Sequence, residues 1–459
     1  LGDLVNLQEL YLNNNALTGP LPASFGGLES LLVLYLEYNQ LNGPIPAEIG
    51  DLDSLLVLSL HHNLLDGPLP AQLGGLAAIE WLALQYNEFT GSIPPELGGL
   101  STLQVLDLHH NLLSGSIPAE LGSLSLLYTL YLNDNQLTGS IPAGLGALSD
   151  LGYLRLDENQ LSGAIPAELG GLTGLLDLWL CKNRLTGAIP ASLGNLVNLE
   201  YLHLHSNAIE GAIPASLANL TALLPEGTDI GYNALYATEE ALITFLNSKD
   251  ADWAITQTIA PASVTATSLD NAVILVSWLP IVYTGDSGYY VVYSSTTAGG
   301  PYAPAGQTLN KSASSLSVSG LDPGQTYYFV VRTHTDAHSG NANVVDSAYS
   351  AEVSATAWAQ VNVRVTGTVL ASGSPLAGGL MSGLPGGPVT NSSGVYDVLV
   401  PAGWSGTVTP ALDGYTFDPP SRIYTALTED QLAQDFAATL IPATITVTAP
   451  NGGESWQAG

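Results

Sequence analysis

The chain has 459 residues, which at roughly 100–200 residues per domain predicts about three domains. It carries 8 Lys and Arg against 40 Asp and Glu, a formal net charge of −32. Proteins that bind nucleic acid or anionic lipid need basic residues to pair with phosphates, so this composition argues strongly against both functions.

Cysteine content and hydrophobic runs exclude further classes of protein. Cys181 is the single cysteine, which excludes a disulfide scaffold and any multi-cysteine metal or iron–sulfur site. No run of about 18 apolar residues is present, so no membrane-spanning helix is predicted. The sequence starts at Leu1 without a Met and stops at Gly459 in a strand-like segment, and we expect it to be a fragment of a longer protein.

A 24-residue repeat organises the first half of the chain. Each copy fits the frame LxxLxxLxLxxNxLxGxIPxxLGxL, and nine copies follow one another in register. Self-similarity at a fixed period predicts a solenoid in which every copy forms one coil. The repeated asparagines are Asn15, Asn39, Asn63, Asn87, Asn111, Asn135, Asn159, Asn183 and Asn207.

The frame predicts one short strand and one turn in each copy. Leu34 and Leu36 alternate with Tyr35, which is the pattern of a strand with one buried face. Stacked copies then form a parallel sheet over a continuous leucine core. We expect the amide of Asn39 to bond the backbone of the next coil, and Gly43 to allow a tight turn.

The frame resembles the plant-type leucine-rich repeat, whose LxGxIPxxLG segment is its distinguishing part, over residues 1–224. This resemblance implies an α/β-type solenoid, a horseshoe with its parallel β-sheet on the concave side. Plant receptors close their ends with paired cysteines, which this chain lacks, so we expect a bacterial surface or secreted protein. Residues 225–260 are predicted to hold a distorted tenth repeat around Asn233 and a helix at 238–248 that caps the solenoid, with Trp253 packed beside it.

All-β modules are predicted after the repeats end. Residues 261–357 resemble a fibronectin type III domain, with a strand ending in Trp278 and a tyrosine corner before 328–331. Residues 358–440 are similar to the carboxypeptidase regulatory-like, transthyretin-like β-sandwich, and residues 441–459 resemble the start of a truncated further β-module. The predicted fold is therefore multidomain, with the leucine-rich-repeat solenoid followed by all-β sandwiches.

No catalytic constellation stands out, so we predict that the chain is not an enzyme and uses no cofactor. No metal site is predicted, because His61 and His109 are two coils and about 10 Å apart, whereas zinc holds nitrogens at about 2 Å. Four polar and acidic residues cluster on two adjacent copies: Asn133, Asp134, Asp157 and Glu158. A solvent-exposed acidic edge is the favoured interpretation of this cluster, and a calcium site is the less favoured alternative. Cys181 is expected at an exposed strand position.

Large amphipathic side chains alternate with the buried leucines and are therefore expected on the concave face. Tyr and Trp often anchor interfaces, although they also suit exposed strands for structural reasons alone. The predicted ligand-binding residues are Tyr131, Tyr153, Arg155, Trp179, Tyr201, His203, Tyr35 and Trp81.

These features predict a non-catalytic extracellular or cell-surface recognition and adhesion protein. Its partner would be a protein, peptide or glycan, with no nucleic acid and no membrane span in this fragment. The alternative is an accessory binding or spacer region of a larger secreted bacterial hydrolase, because similar β-modules are often appended to such enzymes. Acidic residues on the predicted face favour a neutral or cationic partner.

Overall fold

The computed structural model describes residues 1–269, 271–359 and 362–442. They divide into two compact units. The first unit holds Leu1–Thr267, Leu275–Val318 and Thr326–Ala355, and the second holds Ser268–Ile274, Ser319–Gln325 and the described residues from Thr356 onward. None of the helices in these ranges is long and apolar enough to cross a bilayer.

One long parallel sheet runs through the repeats in the first unit, as the alternating leucines predict. Leu34 is completely buried and Leu36 is 2% exposed, and the equivalent leucines of the later coils continue the same core. The ten strands lie in chain order: Glu9–Tyr11, Val33–Tyr35, Val57–Ser59, Trp81–Ala83, Val105–Asp107, Thr129–Tyr131, Tyr153–Arg155, Asp177–Trp179, Tyr201–His203 and Thr228–Asp229.

The return path of each coil contains a second short strand. These strands form a six-stranded sheet of Thr18–Gly19, Gln40–Gly43, Leu64–Pro68, Glu88–Ser92, Leu112–Ser116 and Gln136–Thr138, and a four-stranded sheet of Ser162–Ala164, Arg184–Gly187, Ala208–Ala212 and Ala234–Tyr236. Gly43 ends one of them with a φ of 77°, in agreement with the predicted turn.

A 3-10 helix follows the Pro of the repeat frame in each coil. The fixed φ of proline suits the position just before the first turn of a helix. These helices are Ala23–Gly27, Ala47–Asp51, Ala71–Gly75, Pro95–Gly99, Ala119–Ser123, Ala143–Ala147, Ala167–Gly171, Ala191–Asn195 and Ala215–Asn219.

From Asn39 onward the repeated asparagines bond the preceding coil, so the prediction that they bond the next coil is wrong. In the copy of Asn63, Nδ2 donates to the carbonyl of Leu36 at 3.0 Å and Oδ1 accepts the N–H of Leu41 at 3.0 Å. The same amide also donates to Leu60 in its own coil at 3.0 Å. Each asparagine from Asn39 to Asn207 therefore joins two coils and satisfies backbone groups that the turn leaves unpaired.

An α-helix, Glu240–Asn247, covers the last coil close to its predicted position and packs against Ala215–Asn219. Leu242 and Leu246 are buried in the solenoid core, whereas Ala241 on the same helix is exposed. Trp253, in the 3-10 helix Trp253–Thr256, is 4% exposed and donates from Nε1 to Asn247 at 3.0 Å. These residues close the end of the leucine core.

Two antiparallel sheets follow the solenoid. One contains Ala262–Leu269, Val273–Leu279 and Ser315–Val318; the other contains Ala303–Gln307, Gly288–Ser295, Thr326–Thr335, Val345–Asp346 and Val353–Thr356. Trp278 is 5% exposed, as predicted, and donates to the carbonyl of Ala313 at 2.9 Å. The buried hydroxyl of Tyr290 accepts the N–H of Ile281 at 2.9 Å.

The second unit contains a further pair of β-sheets. Asn362–Ala371 pairs with Ser374–Pro375, Val395–Pro401 and Phe436–Leu440, and Tyr415–Asp418 extends this sheet beyond Phe436–Leu440. A separate sheet contains Leu380–Ser382, Gly406–Ala411 and Arg422–Tyr424. Met381, Tyr396 and Phe436 belong to one hydrophobic core formed by residues of both sheets. The kinship of this β-domain with regulatory-like sandwiches stays a prediction, and most of the predicted module at 441–459 lies outside the described residues.

Candidate ligand-binding face

The ten-stranded sheet aims one set of side chains into the core and the other set away from it. Leu130, Leu154 and Leu178 are fully buried, and the residues on either side of each are less buried or lie at the surface of the sheet. Residues at equivalent positions of neighbouring copies are paired in register, for example Tyr131 with Arg155 and Arg155 with Trp179. We call this outward side the long-sheet face. The resemblance to plant-type leucine-rich repeats implies that it is the concave side of the solenoid.

Four predicted residues form a continuous stack across the long-sheet face, which we call the central stack: Tyr131, Arg155, Trp179 and His203. The guanidinium carbon of Arg155 lies 5.2 Å from the ring centroid of Tyr131 and 4.4 Å from that of Trp179. The ring of Trp179 in turn lies 4.2 Å from the ring of His203. Cation–π contacts of this kind are worth about 0.5–2 kcal/mol each, so they favour this arrangement of the side chains.

Asp177 neutralises the cation at the centre of this stack. Its Oδ2 accepts hydrogen bonds from Arg155 Nε at 3.0 Å and Nη2 at 2.6 Å. Burial raises the pKa of Asp177, and the hydrogen bonds from Arg155 oppose that shift. Burial also lowers the pKa of His203 to about 4, so its imidazole is neutral at pH 7. The stack is therefore nearly neutral overall.

Tyr153 and Tyr201 flank Asp177 in the next column, paired with it in register on either side. Tyr128 leans over Tyr153 with ring centroids 5.4 Å apart and near-perpendicular ring planes. Gly152 makes room for this contact, because a Cβ at that position would lie 2.6 Å from the Tyr128 ring. The structure thus brings six of the eight predicted residues onto four adjacent strands.

The other two predicted residues lie apart from this group. Tyr35 stacks on Tyr11 with ring centroids 5.3 Å apart, near the first coils. Trp81 is 51% exposed on the strand Trp81–Ala83, and the strand Val105–Asp107 separates it from Tyr131. They occupy the same face of the sheet but do not touch the central stack.

The residues two positions after each strand of the long sheet, such as Asp157 and Cys181, are more buried than strand alternation predicts. The prediction that Cys181 is exposed is wrong, because Cys181 is only 2% exposed. Burial strongly raises the pKa of the Cys181 thiol, which disfavours a reactive thiolate. Asp157, at the equivalent position of the preceding coil, is 7% exposed. Burial raises its pKa to about 6.

The structure also contains a ladder of stacked aromatic rings that we did not predict from the sequence. Tyr38, His62, Tyr86 and His110 precede the repeated asparagines and have φ values of 53–55°. Successive ring centroids along the ladder lie 4.3, 4.2 and 4.5 Å apart. His110 ends the ladder with a hydrogen bond to Asp134. The recurrence of aromatic rings at one repeat position was the signal that could have identified it.

The histidines and acids do not form a metal centre in the described part of the chain. No group of three or more His, Cys, Asp or Glu residues there is arranged to hold an ion. His61 and His62 instead contact each other with Nδ1 atoms 2.9 Å apart, and His109 bonds Asp107. Among the acids considered for calcium, Glu158 pairs with Lys182.

Comparisons with known proteins agree with this architecture. Residues 63–213 match the family described as Leucine-rich repeat region, and residues 1–41 match the one described as Leucine rich repeat. Residues 259–345 match Fibronectin type III domain. The chain thus contains leucine-rich repeats followed by a fibronectin type III module. No curated protein matches it.

Solved structures of plant receptors resemble the repeats. The peptide hormone receptor RGFR1 in complex with RGF2 is 40% identical with a TM-score of 0.50, covering 51% of this chain and 37% of the receptor chain. The ectodomain of the Arabidopsis thaliana receptor kinase GASSHO1/SCHENGEN3, in complex with CASPARIAN STRIP INTEGRITY FACTOR 2, is 34% identical with a TM-score of 0.46, covering 54% and 32%. The chain therefore spans about a third of the length of these relatives.

Proposed function

We propose that this chain is a non-catalytic recognition protein that binds an extended peptide segment along the long-sheet face, outside the cell or at its surface. The observation that carries this proposal is the stack of Tyr131, Arg155, Trp179 and His203 on adjacent parallel strands. Rings held by a rigid sheet lose little conformational entropy when a ligand binds.

The stack offers a peptide both apolar area and polar edges. Tyr131 and Trp179 are partly exposed, and Tyr153 and Tyr201 extend the aromatic surface by one column. Aromatic residues and arginine are the side chains that most often dominate binding energy at interfaces. RGFR1, which is similar to the repeats, is described as a receptor in complex with a peptide hormone, and this supports a peptide over a glycan.

The modules after the repeats fit a protein that presents this face away from its point of attachment. The fibronectin type III module follows the solenoid directly and is hydrogen-bonded to it within the first unit. We retain the proposal of a bacterial surface or secreted protein, with the repeats as its recognition part and the β-modules as its stem.

The test is selection of peptides from a displayed random library by the purified chain. Affinities of the selected peptides are then measured for the wild type, Trp179→Ala and the matched control Trp358→Ala, whose side chain is exposed in the second unit. We expect Trp179→Ala to weaken binding about thirtyfold or more, as for an interface hot spot, and Trp358→Ala to leave it unchanged. Equal affinities for all three proteins, or no selected peptide at all, would overturn the proposal.

A further inference from the structure

Five side-chain oxygens on the long-sheet face are shielded from solvent and accept no hydrogen bond, and one of them is Asp177 Oδ1. The other four occupy the same repeat position on different coils, and we call them the acceptor row: Glu37 Oε2, Gln85 Oε1, Asn133 Oδ1 and Asp157 Oδ1. A buried acceptor without a partner costs about 1–3 kcal/mol, so a row of them requires an explanation.

Asp157 and Asn133 are the two members of the acceptor row on adjacent coils. Backbone hydrogen bonds from Leu132 to Arg155 and from Asp134 to Asp157, at 2.9 and 3.0 Å, hold the two coils in register. Residues in register on neighbouring parallel strands lie about 4.8 Å apart. Asp157 is 7% exposed, so its carboxylate lies at the bottom of the face beside the central stack.

The cations of the chain itself do not satisfy this pair. Arg155 is the nearest cation along the chain, at the end of the strand that precedes Asp157. It already donates two hydrogen bonds to Asp177. Lys182, on the next coil, is paired with Glu158. Both neighbouring positive charges are therefore already compensated, and Asp157 retains a free acceptor oxygen.

We infer that Asp157, which remains 7% exposed beside Asn133, receives a primary ammonium or guanidinium group from the bound peptide on its carboxylate. The inference rests on the proposed function and specifies which side chains of the peptide are selected. Ammonium and guanidinium groups carry donors and no acceptors, which complements oxygens that can only accept. Calcium would need six to eight oxygen ligands, and the three side-chain oxygens of this pair fall well short of that number.

The experiment compares peptides selected from the random library by the wild type, Asp157→Asn and Asp150→Asn. Asp150 is an exposed acid in the same repeat copy, so its substitution removes the same charge away from the face. We expect the wild type and Asp150→Asn to select a lysine or arginine at a shared position, and Asp157→Asn to bind these peptides about tenfold more weakly.

A double-mutant cycle then assigns the contact. Acetylation of the selected lysine, or replacement of a selected arginine by citrulline, should weaken binding to the wild type about tenfold and cause no further loss in Asp157→Asn. Selected peptides without a cationic position, or an Asp157→Asn affinity within about twofold of wild type, would overturn the inference while leaving the proposed function intact. Millimolar calcium chloride that displaces the peptide from wild type but not from Asp157→Asn would also overturn it. Failure to select any peptide would overturn both proposals.

Discussion

Asn341 of the fibronectin type III module donates a hydrogen bond of 2.8 Å to the carbonyl oxygen of Asn207, the last regular asparagine of the repeats. The same amide donates to the carbonyl of Tyr232 at 2.7 Å. Ser206 returns a hydrogen bond from its hydroxyl to Gly340 at 2.5 Å. The amide of Asn341 in the fibronectin module therefore bridges two successive coils of the solenoid.

This junction predicts coupled unfolding of the repeats and the fibronectin module. Asn341→Ala leaves two carbonyl oxygens without their donor, at a cost of about 1–3 kcal/mol for burying unpaired polar groups. We expect calorimetry to show one shared transition in wild type and two separated transitions in the variant. Ser339→Ala, an exposed change in the same loop, should behave as wild type. A single transition at an unchanged temperature in Asn341→Ala would show that the loop does not couple the modules.

The capping helix gives a second prediction. Leu246 is 2% exposed against the last coil, so Leu246→Asp places a charge where it has no partner. The loss of packing alone costs about 2–5 kcal/mol, and we expect the repeats to unfold at lower urea concentration. Ala241→Asp, on the exposed side of the same helix, is the control and should shift the urea midpoint little. Equal midpoints for the two variants would show that the helix does not cap the core.

Asp157 should make stability depend on pH. Burial raises its pKa from 3.8 to about 6, with Glu158 adding to the shift and its own backbone N–H, Arg155 and Lys182 opposing it. Because the folded state binds the proton more tightly than the unfolded state, the ionised carboxylate opposes folding above about pH 6. The opposition is relieved as the pH falls from about 6 to below about 4.

Asp157→Asn removes this penalty, so it should stabilise the repeats by roughly 1–3 kcal/mol at pH 8 and by much less at pH 4. Urea unfolding at the two pH values measures the difference. The groups that face Asp157, including Cys181 on the next coil, are unchanged in the variant, and Asp150→Asn controls for net charge. The same stabilisation at both pH values would show that Asp157 does not titrate as inferred.

The repeat period was sufficient to predict the long parallel sheet and its leucine core, and a helix-start pattern after the repeats predicted the capping helix. The second short strand of each coil was not predicted. Leu34 and Leu36 are fixed by local alternation, which the sequence displays directly. Alternation could not predict the burial of Cys181 and Asp157, because they follow the strand, where neighbouring coils and the turn residues shield them. The direction of the asparagine bonds and the contact of Asn341 with Asn207 depend on long-range packing, which no local pattern contains.

The most direct test of the account is fluorine NMR of the chain labelled with 5-fluorotryptophan, with and without a selected peptide. The sequence has seven tryptophans, of which Trp179 belongs to the central stack and Trp358 and Trp404 belong to the second unit. The resonance missing in Trp179→Phe identifies the Trp179 signal. We expect the peptide to shift this signal and to leave those of Trp358 and Trp404 in place. A shift confined to Trp358 or Trp404 would contradict it and place recognition in the β-modules.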